Sequence, residues 1–180
     1  MIRCPGYKVR EATESDVDVL VDMRLRFFDY VLSNSNEQSW PVSDEVKAAL
    51  PETYREWIAG NEALVVVAVQ EDQNTPLAMA VARLPRPGYY MPPASAHISS
   101  VWVEPGHRRR GICCLMLNRL FRWLREQEVR QLVLDYACGN EPAEAMWGKL
   151  GFKPVYTTTT AMLEDVWRVV EQQNEQRKEA

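Results

Sequence analysis

The chain has 180 residues, 46% of them hydrophobic and 26% charged, with a formal net charge of -4. These values predict one soluble globular domain over residues 1–180, and they argue against bulk nucleic-acid binding. No apolar run reaches the roughly 18 residues of a membrane span, and the N-terminus lacks the apolar region of a signal peptide, so we expect a cytoplasmic protein. The four cysteines include no C-x-x-C pair, which favours free thiols and no metal site.

The N-terminal part of the chain predicts a strand followed by a helix. Residues 7–10 form the short strand, and Thr13 precedes Asp16 by three residues in the manner of a capping box. The helix then continues to about residue 32. Seven of its residues recur at near-helical spacing: Val17, Leu20, Val21, Arg24, Phe27, Phe28 and Val31.

The rest of the chain predicts a second helix and a mixture of strands and helices. The second helix starts near Ser43, is interrupted or restarted at Pro51 and stops at Gly60. The further strands are predicted at 63–70, 77–84, 96–103, 131–137 and 152–160, and the further helices at 111–126, 141–150 and 161–180. Hairpin strands come first and a parallel crossover later, which predicts a mixed α/β fold: a mainly antiparallel central sheet with helices on both faces.

Three consecutive arginines lie between the strand 96–103 and the helix 111–126. A helix that follows a strand begins with unpaired N–H groups, and its dipole favours an anion there. Gly111 lets the backbone approach a ligand closely, and Arg108, Arg109 and Arg110 add charge-assisted bonds to phosphates. The alternative is a solvated basic face. Neither G-x-x-x-x-G-K-[ST] nor G-x-G-x-x-G is present.

Two motifs resemble those of the GCN5-related N-acetyltransferases (GNAT). Arg108, Gly111 and Cys113 match the acyl-CoA loop pattern [Q/R]-x-x-G-x-[G/A]. Downstream, the pattern N-x-x-A-x-x-L-Y-x-x-L-G-F is matched by Asn140, Ala143, Met146, Leu150, Gly151 and Phe152. The likeness extends over about residues 7–158, including the first strand and helix.

The resemblance implies acetyl-CoA as co-substrate, lying in a gap between the strands 96–103 and 131–137. The pantetheine arm would pair with backbone groups of Val101, Trp102 and Val103, and Asn140 would bond that arm or its neighbourhood. A backbone N–H near Val103 would polarise the thioester carbonyl. The pyrophosphate would lie on the amides of Arg109, Arg110, Gly111, Ile112, Cys113 and Cys114.

The sequence departs from the family pattern in three places. Cys113 replaces a glycine or alanine, which is a mild steric change. Trp147 stands where relatives often carry a tyrosine that protonates the departing thiolate, and indole cannot serve as that acid. Tyr136, Cys138, Tyr156 and water remain alternatives. The C-terminal residues 161–180 predict a helix where many relatives have a strand, and it would either cover the sheet or form a homodimer.

An alkyl amine is protonated at pH 7, so its attack on a thioester needs a base. The resemblance places His97 where histone-acetylating relatives carry a glutamate base, and imidazole titrates near working pH. The alternative for His97 is a structural role at the start of a strand. Glu104 and His107 are weaker candidates, because Glu104 lies in a turn and His107 lies beside the arginines.

The acceptor is expected opposite the coenzyme, beside the first helix and two loops. Six aromatic residues either offer their ring faces to an amine cation or, alternatively, pack in the core: Phe27, Phe28, Tyr30, Trp40, Tyr89 and Tyr90. Acids that could bind a positive charge are Asp29, Glu37 and Asp44. We expect an N-acetyltransferase that acts on a primary amine of a small molecule or peptide by direct attack; ping-pong transfer through Cys138 is disfavoured. A non-catalytic acyl-CoA-binding module and a ligand-free scaffold are the alternatives.

Overall fold

The computed structural model describes residues 4–35, 41–85, 94–155 and 157–179. The strands are β1 Tyr7–Glu11, β2 Ala63–Gln70, β3 Ala78–Arg83, β4 Ser95–Val103 and β5 Gln131–Val133. The helices are α1 Val17–Ser33, α2 Asp44–Ala59, α3 Ile112–Glu126, α4 Glu141–Lys149 and α5 Leu163–Glu179. The chain divides into two compact units, Met1–Asn140 and Glu141–Ala180. In the described parts of the chain, no helix is both long and apolar enough to cross a lipid bilayer.

The first unit is built on one sheet with the strand order β1-β2-β3-β4-β5. Its first three pairs are antiparallel, and β4 and β5 are parallel. The mainly antiparallel α/β sheet predicted from the order of elements is therefore confirmed. β2 is buried along nearly its whole length, because its apolar residues point to both covered faces of the sheet.

Helices cover the two faces of this sheet. On one face, α1 and α2 pack against the strands through a buried cluster that includes Leu20, Met23, Tyr54, Val65, Val67, Met79, Val81 and Trp102. On the other face lies α3, whose buried residues are Ile112, Met116, Leu117, Leu120 and Leu124. One hydrogen bond of the predicted capping box lies at the start of α1, where the Thr13 N–H donates to the Asp16 carboxylate at 2.8 Å.

Three predicted elements differ from the structure. Helix α2 is continuous through Pro51; a proline there removes one backbone hydrogen bond, and burial of Leu50 and Tyr54 on the same helix offsets that loss. Strand β5 ends at Val133 instead of continuing to residue 137. The predicted strand 152–160 is wrong, since residues 152–155 and 157–160 form no strand. Val155 is 78% exposed, and β-branched residues favour strands only where a pleated surface packs them.

Candidate active site

The parallel pair β4–β5 opens part-way along β4. Its register runs over three pairs only: Ser95↔Gln131, Ala96↔Leu132 and His97↔Val133. β4 continues to Val103 and remains paired there with β3. Among the described residues, the β5-side edge of residues 98–103 therefore has no strand partner. Backbone groups on that edge are available to an extended ligand.

A β-bulge lies at the point where the strands separate. β4 pairs Ser99 with Val81 and Trp102 with Met79, so two residues of β4, Ser100 and Val101, lie opposite the single residue Ala80 of β3. Ser100 takes up the extra residue with φ 54°, a left-handed conformation that is uncommon outside glycine. Bulges of this kind bend a strand and redirect its side chains.

The bulge sends different parts of β4 to different faces of the sheet. Before it, His97 pairs with Arg83, whose guanidinium lies over the Trp57 ring of α2 at 5.2 Å. His97 and Ser99 thus face the α1–α2 side. After the bulge, Val103 pairs with Ala78 and faces the α3 side.

The arginine turn leads from β4 into α3 without a side-chain cap. A 3₁₀ turn at Pro105–His107 follows the strand, and both Arg109 (φ 59°) and Gly111 (φ 84°) are left-handed. Gly111 is the N-cap residue, and no side chain of the described residues accepts from the first turn of α3. The N–H groups that open a helix have no partner within it, so this end is suited to an anion.

The three arginines have three different environments. The Arg108 Nε–H donates to the Val103 carbonyl at 2.9 Å, and its guanidinium lies 4.6 Å from the ring centres of both Tyr30 and Trp102. Arg110 donates to the Tyr7 hydroxyl at 3.1 Å and to the Gly106 carbonyl at 3.2 Å. Arg109 is exposed and has no hydrogen bond or ion pair to the described part of the chain. Arg109 is therefore the guanidinium that is free to bind a phosphate.

A contact that the sequence analysis missed supports this turn from β1. The Tyr7 hydroxyl lies 2.9 Å from His107 Nδ1 and accepts from Arg110, so it joins the two residues. The buried Cys4 thiol donates to the Arg110 carbonyl at 2.7 Å. These partners are about a hundred residues apart in the chain, and no local sequence signal connects them.

Two further motif residues, Cys113 and Asn140, lie at the start of α3 and in the loop after β5. Cys113 is in the first turn of α3, and burial raises its pKa to about 11. Its thiol is thus neutral and acts as a small apolar group in the place of glycine or alanine. Asn140 is buried at 5% exposure, and its N–H donates to the Ala137 carbonyl at 3.1 Å in the loop after β5.

The proposed base, His97, has both ring nitrogens in contact with charged groups. Nδ1 lies 3.2 Å from Arg83 Nη2. Because a guanidinium only donates, Nδ1 accepts and Nε2 carries the hydrogen. Nε2 is 2.9 Å from the carboxylate of Asp135, which is 88% exposed. Asp135 thus orients the ring, and Arg83 occupies the nitrogen that could accept a proton.

Two of the other candidate bases and acids, Glu104 and Trp147, are engaged or buried. The Glu104 carboxylate accepts from Arg26 at 2.8 Å and from the Trp102 indole at 3.2 Å. Trp147 is buried and packs edge-on against Phe152 with ring centres 5.3 Å apart. Tyr136 is half-buried and Cys138 is exposed. Tyr156 lies outside the described residues.

The expected acceptor aromatics are only partly described. Trp40, Tyr89, Tyr90 and Glu37 lie outside the described residues. Phe27 and Tyr30 pack on Trp102, with ring centres 6.2 and 5.5 Å away. Asp29 is exposed, and Asp44 pairs with Lys47 at 3.3 Å.

Arg24 is the functional candidate that the sequence analysis did not single out. Its guanidinium lies over the rings of Phe27 and Phe28, 5.0 and 4.5 Å from their centres. Its Nη1 donates to the Ser100 hydroxyl at 2.6 Å. The available signal was an arginine at a core-facing position of a periodic helix, where an apolar residue is expected.

A family model identifies the family of this chain, and solved structures share its fold. The model of the "Acetyltransferase (GNAT) family" matches residues 30–152. A "predicted acetyltransferase" from Clostridium acetobutylicum, solved with acetyl-CoA, has a TM-score of 0.67 at 22% identity and covers 88% of this chain and 97% of its own. A GCN5-related N-acetyltransferase from Ralstonia eutropha has a TM-score of 0.62 at 19% identity, covering 87% and 99%.

An antibiotic-modifying enzyme shares the same architecture. The aminoglycoside 6'-N-acetyltransferase of Acinetobacter baumannii has a TM-score of 0.61 at 21% identity, covering 87% of this chain and 100% of its own. At these identities the structural likenesses show the fold alone. A search of curated proteins finds no match.

Proposed function

Because the chain belongs to the GNAT acetyltransferase family, whose co-substrate is acetyl-CoA, we propose that it acetylates a primary amine of a small molecule or peptide by direct attack in a ternary complex. The observation that supports this most is the junction of β4 and α3. There a strand edge without a partner among the described residues leads, through the arginine turn, to a helix N-terminus that none of their side chains caps. An elongated ligand with a diphosphate at one end fits this junction.

The chain contributes mainly backbone groups to coenzyme binding. The open edge of β4 at Val101, Trp102 and Val103 binds the pantetheine arm. The amides that open α3 hold the pyrophosphate, and Arg109 adds a charge-assisted bond. Asn140 borders the arm. Acetyl-CoA, when bound, supplies a thioester whose carbonyl a backbone N–H near Val103 polarises.

His97 takes the proton of the attacking amine. It does so at Nδ1, once the Arg83 N–H has moved away from that nitrogen. Asp135 then stabilises the imidazolium through Nε2–H, 2.9 Å from its carboxylate. A base of this kind contributes about 10²- to 10⁴-fold to the rate.

The departing thiolate needs no protein acid. Trp147 cannot donate a proton usefully at neutral pH. A thiol with a pKa near ~8.5 is a fair leaving group without help, so water protonates it after departure. The second candidate function is a non-catalytic acyl-CoA-binding module, favoured by Trp147 and by the engagement of both His97 nitrogens.

Coenzyme binding is tested first, and acetyl transfer is tested second. CoA should raise the melting temperature of the wild type and much less that of Gly111→Val, because a β-branched residue is strained at φ 84° and would shift the backbone amides there. Gly106→Ala is the matched control in the same turn, because a Cβ there meets nothing within 4 Å. Thiol release from acetyl-CoA with a panel of primary amines then separates the two functions. Binding without release for any amine would establish the non-catalytic module.

The role of His97 has its own test. His97→Ala should lower kcat by at least ~10-fold and remove the acidic limb of the pH–rate profile. The chain has only two histidines, so His107→Gln serves as the control and should keep that limb. An unchanged profile in His97→Ala would remove the assignment.

A further inference from the structure

The α1–α2 side of the site contains a guanidinium that the proposed reaction does not use. Arg24 extends from α1 to the β4 bulge and donates through Nη1 to the Ser100 hydroxyl. Its plane is covered by Phe27 and Phe28. Its Nε and Nη2 make no hydrogen bond to the residues that the structure describes. The free Nε–Nη2 edge is the one that binds a carboxylate through two parallel hydrogen bonds.

The charge of Arg24 is not balanced within the described residues, where no carboxylate lies within ion-pair distance. Burial lowers the pKa of its guanidinium, and the nearby charge of Arg83 lowers it further. The neighbouring Tyr54 gives no negative charge, because burial raises its pKa. Among the described residues, Arg24 is therefore a positive charge without a carboxylate partner on the acceptor side of β4, although the chain as a whole is acidic.

A second observation on the same strand also indicates a missing oxygen partner. The Ser99 hydroxyl is buried and has no hydrogen-bond partner in the described ranges. Ser99 pairs with Val81 of the α1–α2 core, so it belongs to the face that Arg24 covers. Buried hydroxyls are nearly always paired, and a ligand oxygen or a water would satisfy this one.

We propose that the acceptor is an amine that also carries a carboxylate, and that Arg24 is the residue that binds this carboxylate. The inference rests on the proposed transferase function and specifies its substrate class. The amine is delivered to the opening between β4 and β5, while the carboxylate lies against the guanidinium beside Ser100. A polycationic acceptor is disfavoured at this position, because Arg24 and Arg83 would repel it.

Matched pairs of amines test the substrate class. Each pair contains an amino acid and its decarboxylated amine, such as phenylalanine with phenethylamine and 6-aminohexanoate with pentylamine. In the wild type we expect kcat/KM for at least one carboxylate-bearing member to exceed that of its partner by ~10- to 100-fold. Equal values in every pair would overturn the proposal.

Variants then assign the preference to Arg24. Arg24→Met should abolish the preference, so that the two members of each pair have equal kcat/KM; Arg24→Lys should retain part of it. Arg55→Gln is the control, since Arg55 is exposed on α2 and pairs with Glu14. A preference that survives in folded Arg24→Met would contradict the assignment. If Arg24→Met does not fold, loss of most of the preference in Arg24→Lys supports it and full retention contradicts it.

A binding experiment separates this proposal from the transferase function. Protein saturated with CoA is titrated with N-acetylphenylalanine and with N-acetylphenethylamine, and the melting temperature is followed. The first compound should stabilise the wild type but not Arg24→Met, and the second should stabilise both equally. If no amine is acetylated but this pattern appears, the transferase function fails and the carboxylate site stands. If neither compound distinguishes the two proteins, the site fails.

Discussion

Arg108 and Arg109 are adjacent in sequence, yet the structure gives them opposite roles, and this contrast can be measured. Arg108→Ala removes a charge-assisted hydrogen bond to the Val103 carbonyl, 2.9 Å long, and two cation–π contacts at 4.6 Å. The hydrogen bond contributes about 1.5–3 kcal/mol and each ring contact about 0.5–1 kcal/mol. The free energy of unfolding should therefore fall by about 2.5–5 kcal/mol, which for a chain of this size lowers the melting temperature by roughly 5–20 °C.

Arg109→Gln should have the reverse profile. Its side chain is exposed and binds no described residue, so the free energy of unfolding should change by less than about 0.5 kcal/mol. Its affinity for CoA should fall by ~10-fold at low salt, and by less at high salt. Denaturant unfolding and calorimetric titration with CoA measure the two quantities. If Arg108→Ala unfolds like the wild type while Arg109→Gln is destabilised, the structural assignment of the two arginines is wrong.

Three further predictions concern the residues Asp16, Trp147 and Cys113. Burial raises the pKa of the Asp16 carboxyl, but hydrogen bonds from Arg10 and Thr13 outweigh it and hold that pKa below its usual value. A depressed pKa stabilises the fold at pH values above the unfolded pKa of ~3.9. Asp16→Asn should therefore lower the free energy of unfolding, measured in urea titrations, by about 2 kcal/mol at pH 7 and by progressively less below pH 4. A loss of unfolding free energy that does not change with pH would contradict this. Trp147→Phe should lower the melting temperature but keep kcat within about twofold, and a loss above ~10-fold would show that the indole N–H takes part. With a pKa of about 11, Cys113 should alkylate about 200-fold more slowly at pH 8 than a free cysteine peptide of pKa ~8.5, as followed by mass spectrometry; equal rates would show that the thiol is not buried.

Local patterns of apolar residues correctly predicted elements that are buried along nearly their whole length. The β-branched run at Ala63–Gln70 forms a strand with the predicted bounds, because a strand covered on both faces needs apolar residues at every position. The predicted strand 152–160 has similar residue types but lies exposed, and no packing surface selects the extended form. Pro51 shows the converse, since tertiary packing keeps α2 helical against a local breaker.

The site was predictable where it depends on backbone geometry next to a motif. Gly111 is left-handed at the N-terminus of α3, as the arginine turn indicated. The contacts that distinguish the three arginines were not predictable, because Tyr7 and Tyr30 reach them from the distant β1 and α1. The bulge at Ser100 likewise leaves no clear trace in the sequence, although it determines which face His97 and Arg24 share.

Backbone amide chemical shifts measured during a CoA titration test the central claim most directly. In ¹⁵N-labelled protein, the chemical shifts of the amides from Arg109 to Cys114 should change most on addition of CoA. They should not change with pantetheine alone, because only CoA carries the diphosphate. If CoA binds while the chemical shifts of those amides stay unchanged, the N-terminus of α3 does not hold the diphosphate, and the proposed binding site is contradicted.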